Sequence, residues 1–100
     1  MTNTCILTRI APPVVEEKLL DHLLMSSASQ LFTSHPVACH GTVVPHRNPQ
    51  SQVLGRTASV RVEVRLDDAA ADQFLQELHA EFKGAGLYFW LSPVTAGGEI

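Results

Sequence analysis

The chain has 100 residues, 45% of them hydrophobic and 17% charged, with a formal net charge of −3. That is the size and composition of one folded domain; it leaves no room for a second and argues against disorder. Seven Lys+Arg against ten Asp+Glu form no basic stripe for a nucleic-acid backbone, and no apolar run approaches the length of a membrane span.

The first residues, Met1-Thr2-Asn3-Thr4, lack the basic and apolar regions of an export signal. Two cysteines, Cys5 and Cys39, are too few for a disulfide framework, so the expectation is reduced thiols in a cytoplasmic protein not itself inserted in a membrane. Residues 5–10 are a short, mostly apolar run closed by Pro12-Pro13, which reads as a buried strand. Proline suits the first turn of a helix, and the spacing predicts one over residues 14–25. Val15, Leu19, Leu20, Leu23 and Leu24 share one broad face of it, while Glu17, Lys18, Asp21 and His22 fall on the other.

After Ser26-Ser27-Ala28-Ser29, residues 31–39 read as a strand in which Pro36 implies a sheet edge or a bulge. Residues 41–54 then show no helical period and are rich in Pro, Asn, Gln and Ser, the pattern of a long and functional loop. Val60, Val62, Val64 and Leu66 alternate with Arg61, Glu63 and Arg65, a strict period of two that predicts a strand with one face in the core. We expect these charged residues to pair across a subunit interface. Asp67 or Asp68 is expected to cap a second helix carrying Ala71, Phe74, Leu75, Leu78 and Phe82 at helical spacing, with Gly84 as its left-handed end. Residues 87–91, Leu-Tyr-Phe-Trp-Leu, form a last strand whose aromatics are expected in the core or an interface, and residues 96–100 make a loose tail.

The element order is β-α-β, loop, β-α-β. It predicts a single α+β domain over residues 1–100: a ferredoxin-like four-stranded antiparallel sheet with two helices on one face. The second sheet face carries apolar side chains in either register, and an oligomer would bury it.

With this order in place, the chain resembles the PII and CutA superfamily. The resemblance rests on Phe32-Thr33-Ser34 leading into Pro36-Val37, on His40-Gly41 opening the loop and Gly55-Arg56 closing it. It rests also on Gly84-Ala85-Gly86-Leu87-Tyr88-Phe89-Trp90-Leu91 with Pro93-Val94. Within the superfamily the chain is most similar to a PII-like family of unknown function associated with heavy-metal efflux systems. The resemblance implies a homotrimer whose sheets line its centre, and it makes residues 41–54 the counterpart of the PII T-loop. It implies action by binding, with no catalysis, and a membrane efflux protein as partner. PII proteins that hold ATP use a glycine- and lysine-rich loop before the last strand. Here that connection is only Lys83-Gly84-Ala85-Gly86, and nothing after Lys83 is basic.

The residues that could carry chemistry cluster around the loop. His35, Cys39, His40 and His46 are four nitrogen or sulfur donors within twelve residues, a donor set suited to copper or zinc. Their spacing matches no recognised zinc motif. On a regular strand His35 and Cys39 point one way and His40 the other, so a site would use His35 with Cys39, or His40 with His46 across the loop mouth. One histidine per subunit about a trimer axis is a third arrangement. Ordinary strand and loop roles explain all four equally simply.

Arg47 and Arg56 could grip a phosphate or carboxylate, since guanidinium is a planar fork, or could serve as a solvated charge and a strand-end ion pair. The functional expectation is a PII-like trimeric sensor that binds a small ligand or metal ion and a partner protein through its loop. The alternatives are a copper- or zinc-binding protein linked to heavy-metal tolerance and a structural trimer without ligand. An enzyme is not expected: Ala11-Pro12-Pro13 after the first strand removes the amide donors that an acylphosphatase-like anion cradle needs.

Overall fold

Residues 3–41 and 56–100 are described in a computed structural model of the protein. Strand β1 (Thr4–Ala11) leads through a single 3₁₀ turn (Pro13–Val15) into helix α1 (Glu16–Met25), followed by β2 (Phe32–Cys39). Strand β3 (Thr57–Asp67), helix α2 (Asp68–Phe82) and β4 (Tyr88–Val94) repeat the unit. The sheet is antiparallel throughout with order β2-β3-β1-β4, the ferredoxin-like arrangement expected from the sequence.

The alternation read at Val60–Leu66 sets the two sides of the sheet. Leu7 opposes Val64 and Ala11 opposes Val60, and these residues pack with Leu19 and Leu23 of α1 and with Ala71, Phe74, Leu78 and Phe82 of α2 in one core. Burying each such large apolar side chain contributes about 1.5–3 kcal/mol, so this face dominates the stability. Pro36 sits on an edge strand in unbroken register opposite Val60, so the edge accommodates it and no bulge is needed.

Several local expectations are corrected. The α-helix begins at Glu16, because Pro13-Val14-Val15 take the tighter 3₁₀ turn, and Leu24 stays 70% exposed outside the apolar face. His22, expected on the polar face, turns inward between Phe74 and Phe82, with ring centroids 5.3 and 5.9 Å away. Asp67 stands at the N-cap of α2 but makes no capping bond; its Oδ1 accepts a hydrogen bond of 2.9 Å from Gln30 Nε2. The α2 end matches expectation: Gly84 has φ +78°, and the Ala85 amide donates to the Phe82 carbonyl at 3.0 Å.

Candidate functional site

The sheet face away from the helices carries, by register, Ile6, Thr8 and Ile10 of β1, Arg61, Glu63 and Arg65 of β3, His35, Val37 and Cys39 of β2, and Tyr88 and Trp90 of β4. The charged residues of β3 lie close to polar groups of the chain itself. Arg61 Nε lies 3.7 Å from Glu63 Oε1, Thr8 Oγ1 donates to Glu63 Oε2 at 3.1 Å, and Arg65 Nε donates to Gln30 Oε1 at 2.8 Å. The β4 aromatics, expected in the core or an interface, are not core residues: Tyr88, Phe89 and Trp90 are all exposed in the single chain, Trp90 by 49%. An edge strand has a neighbour on one side only, and β4 shows the consequence on both faces.

At the end of this face where β2 and β3 lead into the loop, Ile10, Val37, Ala38, Cys39, His40, Arg61, Tyr88 and Trp90 line a cleft of about 380 Å³. Its character is mixed. Tyr88 and Trp90 offer ring surfaces, Arg61 a cation, and Cys39 and His40 donors for a soft metal. Opposite Cys39 in the register stands Thr57, whose Oγ1 is buried and finds no hydrogen-bond partner among the described residues.

The predicted site residues separate into three groups. His35 and Cys39 do share a face, but four residues along a strand places their Cα atoms about 13 Å apart, beyond the reach of one ion. His35 also stands opposite Arg61, a cation that disfavours a second one nearby. Cys39, the last residue of β2, and His40 after it both line the cleft. Arg56 is exposed just before β3. His46 and Arg47, and the loop over residues 42–54, lie outside the described residues. Among the described residues no three of His, Cys, Asp and Glu are grouped to hold a metal ion. Sequence reasoning missed the part that Arg61, Tyr88 and Trp90 play in the cleft; only the cross-strand register brings them to the loop stem.

A family model for a protein of unknown function, DUF3240, matches residues 1–100. No curated protein matches the chain. Among solved structures, a DUF3240 family protein from Shewanella baltica has a TM-score of 0.80 at 16% identity, with 100% of this chain and 99% of that one covered. A PII-like signaling protein from Thermus thermophilus is similar with a TM-score of 0.66 at 19% identity, over 93% and 88% of the two chains. The B. subtilis GlnK–ATP complex follows with 0.65 at 14% identity, over 93% and 85%. At these identities the likeness is one of fold, and the fold is PII-like. Among the described residues no helix is long and apolar enough to cross a membrane.

Proposed function

The chain belongs to the DUF3240 family and has a PII-like fold, and on that premise we propose that it is a regulatory homotrimer that acts by binding, with no catalytic step. The observation that carries this reading is the cleft at the root of the loop. A ligand seated against Trp90, Tyr88 and Arg61 meets Cys39 and His40, where β2 ends and the loop begins. Occupancy there is coupled to the loop conformation presented to a partner, because the same residues hold the ligand and anchor the loop. Arg61 and the two rings favour a small organic anion with a flat apolar part. Arg56, exposed just before β3, is a further cation near the loop exit, and Arg47 of the loop lies outside the described residues. The partner suggested by the family resemblance is a membrane efflux protein.

The second reading is metal binding by Cys39 and His40, favoured by their lining one cleft, with His46 as a further donor. One experiment separates the two. Trp90 is the only tryptophan of the chain and lines the cleft, so its fluorescence reports occupancy directly. Titration with Zn²⁺, Cu²⁺, ATP and small dicarboxylates should change the emission for at least one class. Arg61→Ala should abolish an anion response, and paired Cys39→Ala and His40→Ala changes a metal response. An emission that none of these probes alters would leave a structural trimer without ligand as the better account.

A further inference from the structure

Residues 5, 7, 9 and 11 of β1 face the helices, and three of them, Cys5, Leu7 and Ala11, belong to the core. The fourth is Arg9, with 0% of its surface exposed. Its Nε, Nη1 and Nη2 are all buried, and none has a hydrogen-bond partner among the described residues. Its Cζ lies 5.9 Å from the centroid of Phe74, a contact that offers a π face but no acceptor. Burial lowers the guanidinium pKa to about 10, which still leaves it protonated at neutral pH. A full charge with several orphaned donors is among the most costly things a core can hold, and a leucine or methionine would fill the same space without that cost.

The requirement is therefore for an acceptor, and the surroundings restrict what it can be. Single positive charge calls for single negative charge, and the close packing of Leu7, Ala11 and Phe74 excludes bulk. Multiply charged anions would surrender more hydration than one guanidinium returns. We propose that Arg9 is the base of an internal site for a small monovalent anion, of the size of chloride or nitrate, between β1 and α2. Entry would be from the sheet edge. Arg9 pairs in register with Phe89 of β4, whose side chain is only part covered, so a ring movement there opens the layer beside the guanidinium. His22 Nδ1, on the ring that packs against the same Phe74, is a second buried polar atom with no hydrogen-bond partner among the described residues. The site lies on the helix side of the sheet, so it is separate from the loop-stem cleft and does not depend on the function proposed for that cleft.

The test is urea unfolding at constant ionic strength in sodium chloride, sodium nitrate or sodium gluconate, whose anion is too large to enter. Above its dissociation constant, each tenfold rise in chloride or nitrate should lower the unfolding equilibrium constant of the wild type about tenfold. Arg9→Met should be indifferent to the exchange of anions and more stable than the wild type in gluconate. Independently of any core variant, the ³⁵Cl resonance should broaden on addition of wild-type protein and sharpen again with nitrate. A wild type that does not distinguish chloride from gluconate, an equal response in Arg9→Met, or an unbroadened ³⁵Cl line would overturn the proposal.

Discussion

The two cysteines show how position in the sheet sets the chemistry of identical side chains. Cys5 lies in the core beside Asp68, and burial first, then the hydrogen bond and charge of that carboxylate, raises its thiol pKa above the ordinary 9.0. Cys39 ends an edge strand and is half-buried at the cleft. Iodoacetamide on the native protein should therefore alkylate Cys39 and leave Cys5 unmodified until the chain is unfolded, which peptide mass spectrometry would read directly. The folded state resists ionisation of Cys5 while the unfolded state does not. Its contribution to stability is thus fully present below pH 9 and is lost as pH rises through the raised folded value. Urea midpoints from pH 8 to 11 should fall more steeply for the wild type than for Cys5→Ala; parallel curves would contradict this. Arg9 and His22 belong at this scale as well, since each is a polar group that the helix and strand patterns alone would have placed elsewhere.

Among the elements, α2 does most to close the core, and Phe74 is its centre. The ring is 1% exposed and touches both Arg9 and His22, so Phe74→Ala should cost about 3–5 kcal/mol in chemical unfolding, the range for removing a buried aromatic. Gly84 carries a smaller and purely conformational role. An added Cβ there meets nothing within 4 Å, so the cost of Gly84→Ala, about 1 kcal/mol, comes from the positive φ alone. These elements were legible because their signals are local and periodic: Val60 to Leu66 at period two, Ala71 to Phe82 at helical spacing, Pro36 marking an edge. The inward turn of His22 was not legible, since a polar residue at the rim of a helical face goes whichever way its cross-element neighbours allow, and Phe74 and Phe82 are more than fifty residues away. The loop-stem cleft was half visible. Cys39 and His40 drew attention by type, whereas Arg61, Tyr88 and Trp90 enter through register, which a linear pattern does not carry.

At the scale of the molecule, the two faces of the sheet differ. Its helix side is a packed core, but the other sheet face leaves Tyr88 and Trp90 exposed and Ile6 and Val37 part-exposed, and β4 is an apolar edge with no charged residue to protect it. A homotrimer with the sheets turned inward would cover this surface and bring three loop stems together, which is how a small ligand could change one shared docking surface. Replacing Trp90 by Glu should weaken that assembly while leaving far-ultraviolet circular dichroism unchanged, because the side chain lies outside the core. The measurement that bears most directly on the regulatory reading is native mass spectrometry of protein purified without a histidine tag or chelator. The account predicts a species of three 10.9 kDa chains that takes up a metal ion or small anion in proportion to its subunits. A monomer at micromolar concentration would contradict it.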